Sequence, residues 1–167
     1  MVEGRESITK VEISVKDIDT LDEEGNPVWV SVWVDLEIAK MSNTIMDIMG
    51  DCSSPDVIPL MNDDTDKKTF EKVVYYCKQK LDHSDSKDQD WKFVFFKNLQ
   101  PTDLYHLTMA ANFLDIPDLF EDVTTAVAHT MKGKTPEEIR KTWNIEADLT
   151  PDEIEQIKRE NAWILDL

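Results

Sequence analysis

Acidic side chains are the commonest groups in this sequence that could do chemistry, because carboxylate oxygens are ligands that Ca²⁺ prefers. A calcium-binding loop needs oxygen ligands at positions 1, 3 and 5, a glycine at position 6 and a glutamate at position 12. Counted from Asp17, the sixth residue is Asp22 and the twelfth is Val28. The counts from Asn62 and from Asp82 also lack both required residues. We therefore interpret the acidic runs as solvated surface and predict no metal site.

Thiol and imidazole side chains could bind zinc or act in catalysis. Cys52, Cys77, His83, His106 and His129 stand singly, without the spacing of a CxxC, HxxxH or HExxH motif. The sequence contains no GxGxxG or GxxxxGKS/T segment to bind phosphates and no GxSxG elbow to present a nucleophile. We therefore predict that the protein is not an enzyme and uses no cofactor. A hydrolase assembled from separated residues stays open, because motifs alone do not exclude it.

The composition limits the class of protein and its partners. A chain of 167 residues that is 41% hydrophobic suits one soluble domain with a small appendage. With 18 basic and 35 acidic residues, the net charge of −17 repels phosphate backbones and anionic lipids, so we expect no nucleic acid and no membrane as partner. The sequence shows no membrane span, no secretory signal and only two cysteines, so we expect a location in the cytoplasm and nucleus.

Strand patterns are confined to the N-terminal part of the chain. ITKVEISVKDI alternates apolar and polar residues, DEEGNP supplies turn residues, and VWVSVWV is rich in β-branched and aromatic residues, which together predict a hairpin. DLEIAKMSNTIMDIMG predicts two short helices, with Ser42 or Asn43 as the cap of the second. The run PDVIPL predicts a brief buried strand.

Helical spacing dominates the rest of the chain. DDTDKKTFEKVVYYCKQKL repeats apolar residues at i, i+3, i+4 and i+7, which predicts one helix with Cys77 in the core. The polar run 82–90 predicts a flexible loop. Pro101 and Pro117 open two further helices, and Gly133 can end the second of them. Strands early and helices afterwards predict an α+β fold.

The C-terminal region starts two helices with the same pattern. Thr135 and Thr150 are each followed by a proline, an acidic residue and a glutamate, which predicts a capping box with proline at the first helical position. Helices shorter than about 12 residues are marginal in water and need other contacts. The large apolar residues of this region are Ile139, Trp143, Ile145, Leu149, Ile154, Ile157, Trp163, Ile164 and Leu165. By position alone they fit either a core or an interface, and both readings stay open.

The segment KGKTPEEIRKTWNIEADLTPDEIEQIKREN, with Trp163 after it and AANFLDI before it, resembles the S-phase-kinase-associated adaptors of SCF (Skp, cullin, F-box) ubiquitin ligases. GKTPEEIRKT, NI and KREN occur in the order and spacing of that family. DLEIAKMSNTI also resembles its first helices. The resemblance covers nearly the whole chain and is strongest from Ala110 onward.

The resemblance implies a BTB/POZ-type α+β domain over residues 1–133, which binds a cullin scaffold, and F-box-binding helices over residues 134–167. Members of this family have no active site, and they bridge the cullin to an F-box protein that selects substrates for ubiquitin transfer and degradation. The resemblance implies Asn112 and Phe113 as cullin-binding residues. The F-box-binding residues that it implies are Val127, Met131, Trp143, Ile145, Leu149, Ile154, Ile157, Asn161 and Trp163.

The sequence also departs from the pattern of that family. Phe113 replaces the usual Tyr, Trp143 and Leu149 stand where Phe is usual, and the N-terminal hairpin is longer and richer in Trp. These departures indicate a diverged paralogue. A POZ-type adaptor with partners other than F-box proteins, or a weak homodimer through the POZ domain, is the alternative, and the C-terminal two-helix segment argues against it.

Overall fold

The computed structural model describes residues 9–51, 57–62, 64–84, 90–146 and 149–162. The chain divides into two compact units, residues 1–130 and residues 131–167, and each is described by itself. The functional limits that the sequence predicts, 1–133 and 134–167, stay predictions. None of the helices in the described ranges is long and apolar enough to span a membrane.

The described residues form three strands and eight helices. In chain order these are β1 (Lys10–Leu21), β2 (Pro27–Asp35), α1 (Leu36–Ala39), α2 (Asn43–Asp51), β3 (Ile58–Pro59), α3 (Lys67–Asp82), α4 (Asp90–Lys97), α5 (Pro101–Phe113), α6 (Pro117–Met131), α7 (Pro136–Trp143) and α8 (Pro151–Glu160). This arrangement confirms the predicted α+β fold.

The predicted hairpin is confirmed. Strands β1 and β2 pair antiparallel, with Ser14 opposite Ser31 near the middle of the register. The turn depends on Asp22, whose carboxylate accepts hydrogen bonds from the backbone N–H groups of Glu24 and Asn26 at 2.9 and 2.8 Å. Gly25 in the same turn has a φ of +84°, a conformation that glycine adopts without steric cost.

Strand β3 completes a sheet of order β2-β1-β3 and lies parallel to β1. The predicted strand in PDVIPL is thereby confirmed at Ile58 and Pro59. Ile58 and Leu60 are fully buried, and Pro59 is exposed. Strand β1 alternates buried and half-buried residues from Val11 to Asp17, which is the pattern of a strand with one face on the core.

The core of the first unit combines the inner face of β1 with helices α1, α3, α5 and α6. Its largest fully buried side chains include Ile13, Val15, Phe70, Tyr76, Leu107, Leu114, Leu119 and Val123. Cys77 is buried on α3 as predicted, and burial raises the pKa of its thiol to about 12. The thiol is therefore a packing group at neutral pH rather than a nucleophile.

The flexible loop predicted at residues 82–90 stays a prediction. Asp82 is the last residue of α3, Asp90 is the first of α4, and residues 85–89 lie outside the described part of the chain. Helix α4 was not assigned from the sequence, because aromatic residues at half of its positions hide any helical period. The ring of Tyr76 on α3 fixes it, with centroids 5.4 Å from Trp91 and 6.0 Å from Phe95.

Candidate functional site

The C-terminal end of α5 carries the two residues predicted to bind a cullin. Asn112 is exposed, and Phe113 is half-buried in the last helical position. Leu114 caps the helix and is itself fully buried. Asp115 follows with a φ of +47°, which reverses the chain direction before α6. Asn112 and Phe113 therefore lie next to a sharp, well-packed turn.

Helix α2 is fastened to this end of α5 by three side chains. Ser42 Oγ donates to the carbonyl oxygen of Leu114 at 2.5 Å, and Thr44 Oγ1 donates to that of Phe113 at 2.8 Å. Asn43 Nδ2 donates to Asp115 Oδ2 at 2.9 Å. The last carbonyl groups of a helix have no partner within the helix. The start of α2 supplies these partners and holds the candidate cullin-binding end of α5 in one orientation.

A second surface is an apolar groove between α4 and α6, with a volume of about 620 Å³. Its apolar lining comes from Phe93, Phe96, Leu99, Leu104 and Ala126. The Phe93 side chain is 68% exposed, although an isolated phenyl ring in water is unfavourable. The two residues that the sequence resemblance implies on α6, Val127 and Met131, are half-buried and do not line the groove. Their neighbours do.

The α4 side of this groove was not predicted from the sequence. A signal was present, because WKFVFFKNL carries more aromatic surface than one short helix can bury. Burial of Trp91, Phe95 and Phe96 to intermediate levels leaves Phe93 and Val94 on the outside of α4. Lys97 Nζ lies 5.6 Å from the centre of the Phe93 ring, which is within cation–π distance.

A polar cluster ties together the helices around the groove. Tyr76 on α3 donates from its hydroxyl to Asp122 Oδ2 on α6 at 2.5 Å, and Lys92 on α4 pairs with the same carboxylate at 2.6 Å. Burial, together with the neighbouring Asp122 carboxylate, raises the pKa of Tyr76, so its hydroxyl stays a donor. The three side chains therefore link α3, α4 and α6 beside the groove.

The second unit contains the two predicted capping boxes, and both are confirmed. The Thr135 hydroxyl accepts from the Glu138 backbone N–H at 3.2 Å, and the Glu138 carboxylate accepts from the Thr135 N–H at 2.9 Å. The corresponding distances for Thr150 and Glu153 are 3.4 and 2.8 Å. Hydrogen bonding to the Thr150 backbone lowers the pKa of the Glu153 carboxyl. The Glu153 carboxylate therefore stays charged at neutral pH and available to accept this bond.

Helices α7 and α8 contain no buried residue, which explains why strong caps are needed. Ile145 is 54% exposed and Ile157 is 44% exposed, so large aliphatic side chains face solvent. Their predicted companions Met131, Trp143, Leu149 and Ile154 are half-buried. Asn161 is exposed, and its side-chain N–H₂ donates to the Ile157 carbonyl at 2.8 Å. Trp163 lies outside the described residues.

Trp143 has one further feature. Its indole N–H is shielded from solvent and has no hydrogen-bond acceptor within the described ranges. The helix ends one residue later at Asn144, which has a φ of +51° and directs the chain away. A shielded donor without an acceptor is unfavourable.

An α+β unit with an apolar groove, followed by two capped helices with exposed apolar residues, defines a protein-interaction module. Residues 117–164 match the model of the Skp1 family, dimerisation domain. SKP1-like protein 12 of Arabidopsis thaliana is 39% identical over 137 residues, which cover 78% of this chain and 87% of that protein. SCF ubiquitin ligase complex protein SKP1b of Dictyostelium discoideum is 41% identical over 146 residues, which cover 80% and 88%.

A third relative, E3 ubiquitin ligase complex SCF subunit sconC of Arthroderma otae, is 36% identical over 151 residues, which cover 82% of this chain and 90% of the relative. Identity at this level over most of both chains identifies the family. The chain belongs to the Skp1 family, as the motifs from Ala110 onward suggested. The POZ-type α+β fold expected from that resemblance agrees with the sheet and helices of the first unit.

Proposed function

We propose that this chain is the adaptor subunit of an SCF-type E3 ubiquitin ligase, which bridges a cullin scaffold to F-box substrate receptors. The observation that carries the proposal is 41% identity, over 80% of the chain, to a protein named as part of an SCF ubiquitin ligase complex. A relative from Arthroderma otae is named as a subunit of the same kind of complex. The proposed adaptor needs no catalytic group, because its function is to bind two proteins at the same time.

The cullin side of the proposed adaptor is the end of α5. Asn112 and Phe113 present one polar and one aromatic side chain from a helix end that α2 holds in place. Phenylalanine at position 113 has no hydroxyl, so this contact is apolar. A rigid, pre-organised contact loses less conformational entropy on binding than a mobile one.

The F-box side consists of two surfaces, one in each unit. The first unit contributes the groove between α4 and α6. Val127, which follows the groove residue Ala126 in the sequence, belongs to the same surface in this proposal. The second unit contributes the apolar side chains of Trp143, Ile154 and Ile157, with Asn161 as a polar group. Amphipathic helices bind in grooves of this kind through a few apolar anchors. Burying each anchor contributes about 1.5 to 3 kcal/mol.

The test of this function is affinity purification of the tagged full chain from its own cells, followed by identification of the bound proteins. The adaptor function predicts that a cullin and several F-box proteins are recovered together. Recovery of neither would contradict it.

The non-enzymatic character has a separate test with E1, E2, ubiquitin and ATP. Ubiquitin transfer by the chain without a RING protein would show that it is not a passive adaptor.

A further inference from the structure

Strand β2 is not used by the proposed adaptor function, yet its sequence is unusual. Residues 28–34 read VWVSVWV, which is the same in both directions about Ser31. In the described part of the chain the sheet order is β2-β1-β3, so β2 forms one outer edge. Trp29 is 48% exposed and Trp33 is 60% exposed. The edge therefore carries two large apolar side chains placed symmetrically about one serine.

The direction of the backbone groups on β2 follows from two hydrogen bonds. The Leu36 N–H donates to the Thr9 carbonyl at 3.0 Å, which continues the antiparallel register of β1 and β2. The Leu60 N–H donates to the Ser14 carbonyl at 2.9 Å, so even-numbered residues of β1 face β3. Backbone groups alternate sides along an antiparallel strand. Even-numbered residues of β2 therefore face β1, and odd-numbered ones face the open edge.

Between Val28 and Val34, this edge strand lacks the protective residues that usually prevent pairing. Natural edge strands carry lysine, internal proline or a bulge, or are very short. The seven residues from Val28 to Val34 contain no charge and no proline, and the irregularity in the hairpin register lies outside them, between Asp17 and Leu21 on β1. Trp29, Ser31 and Trp33 are the residues whose N–H and C=O groups face outward. An uncharged, β-branched strand with free backbone groups is a template for another strand.

We propose that β2 pairs antiparallel with β2 of a second copy of this chain, about a two-fold axis through Ser31. The palindrome makes this pairing self-complementary, as an isologous interface requires. Ser31 then lies opposite Ser31 of the second copy. Trp29 of each copy lies opposite Trp33 of the other. All three are outward-facing residues, so each pair exchanges two backbone hydrogen bonds and the interface contains six. The two three-stranded sheets become one sheet of six strands.

The same register also suits the side chains. Val28 lies opposite Val34 and Val30 opposite Val32, which continues an apolar face across the axis. The tryptophans form two cross-strand aromatic pairs on the other face, and such pairs stabilise antiparallel strands. A shift by two residues preserves the backbone directions but moves the tryptophans opposite serine or the strand ends. The central register is therefore the one that the sequence selects.

Charge explains why this contact uses an uncharged edge. Two chains of net charge −17 repel each other, and only a neutral strand offers a site without added local repulsion. Added salt screens the general repulsion and leaves the apolar contact intact. We therefore expect the dimer to become tighter as the salt concentration rises. The edge lies outside residues 117–164, which the family model matches.

A disulfide test locates the axis directly. In the proposed dimer the two copies of residue 31 form a hydrogen-bonded pair, with Cα atoms about 5.5 Å apart, which a disulfide can span. Ser31→Cys in a Cys52→Ser background should form a covalent dimer with oxidised glutathione. Ser14→Cys is the matched control, because Ser14 lies opposite Ser31 but one strand further from the edge. Equal cross-linking of the two variants would overturn the proposal.

Sedimentation velocity of the full chain tests the strength of the contact. Loading from about 1 to 500 µM should give a reversible monomer–dimer equilibrium. Ser31→Pro removes an N–H that does not bond to β1, so the hairpin survives while the dissociation constant rises at least tenfold. Near-UV circular dichroism checks that this variant is folded. A monomer at every concentration, or a dimer that a folded Ser31→Pro chain forms equally well, would contradict the edge contact.

Discussion

The hydroxyl of Ser42 donates a hydrogen bond of 2.5 Å to the carbonyl oxygen of Leu114, which lies 72 residues further along the chain. Ser42 Oγ also accepts a hydrogen bond of 3.1 Å from the Ile45 N–H and thereby caps α2. One buried hydroxyl therefore ends α5 and begins α2. The residues implied in cullin binding, Asn112 and Phe113, directly precede this junction.

We expect Ser42→Ala to lower the free energy of unfolding by about 1 to 3 kcal/mol. The substitution leaves the buried Ile45 N–H without its acceptor, and the Leu114 carbonyl keeps only the longer bond of 3.4 Å from the Thr44 N–H. Urea denaturation of the purified chain measures the change. Thr124→Ala is the control, because the Thr124 hydroxyl bonds only within its own helix and is exposed to water, so its loss should cost less than about 0.5 kcal/mol. Equal losses for the two variants would mean that the junction is not a structural link.

The helicity of α7 and α8 should depend on their capping boxes, although both boxes lie on the surface. Thr135→Ala and Thr150→Ala each remove an N-cap acceptor, which costs about 1 kcal/mol. Because neither helix has a buried residue, we expect this loss to appear as reduced helicity in far-UV circular dichroism. Thr150→Ser keeps the hydroxyl and should keep the helix. Unchanged spectra for both alanine variants would show that the helices do not depend on their caps.

Acid stability should depend on the ion pair between Lys72 and Asp103, whose atoms lie 2.8 Å apart. The hydrogen bond from Lys72 holds the pKa of the Asp103 carboxyl below its ordinary value. A carboxyl with a lowered pKa stabilises the folded state above its unfolded-state pKa, and that contribution is lost as the pH falls through the folded-state value.

We therefore expect Lys72→Met to be less stable than the parent at pH 7 and to lose less stability between about pH 5 and pH 2. Urea midpoints across this range provide the measurement. Lys78→Met, on the exposed side of the same helix, controls for the loss of one positive charge. A parallel pH dependence for the parent chain and the Lys72 variant would contradict the assignment.

F-box binding should depend on the apolar residues of the second unit. We expect Trp143→Ala with Ile157→Ala to weaken binding of a co-purifying F-box protein by at least about 2 kcal/mol, roughly 30-fold in Kd, because buried aromatic and aliphatic anchors dominate such interfaces. Trp143→Phe is the comparison variant, since it keeps an aromatic ring while it removes the unpaired indole N–H, and it should retain most of the binding. Calorimetric titration distinguishes the variants. Full binding by the double alanine variant would exclude this surface.

Local patterns in the sequence were sufficient to predict the hairpin, α3 and both capping boxes. Each depends on residues close in the chain, such as Thr135 with Glu138, whose types and spacing determine the local hydrogen bonds. The same holds for the turn around Asp22, where the acceptor and its donors lie within four residues. Elements of this kind need no knowledge of the rest of the fold.

The groove and the α5 junction could not be predicted in this way. Tyr76 meets Asp122 across 46 residues, and Ser42 meets Leu114 across 72, so neither contact has a local signal. Helix α4 was missed because its aromatic residues face both the core and the groove. The candidate binding residues came from the resemblance to a family, and the residues themselves left core and interface open.

The measurement that tests the adaptor function most directly is the mass of the complex formed by the chain, a cullin and an F-box protein recovered from the same cells. Size-exclusion chromatography with light scattering, performed with equimolar proteins, provides this mass. The adaptor function predicts a single species that contains all three proteins, and no association of the cullin with the F-box protein when the chain is omitted. If the cullin and the F-box protein instead displace each other from the chain, it does not bridge them, and the proposed function is wrong.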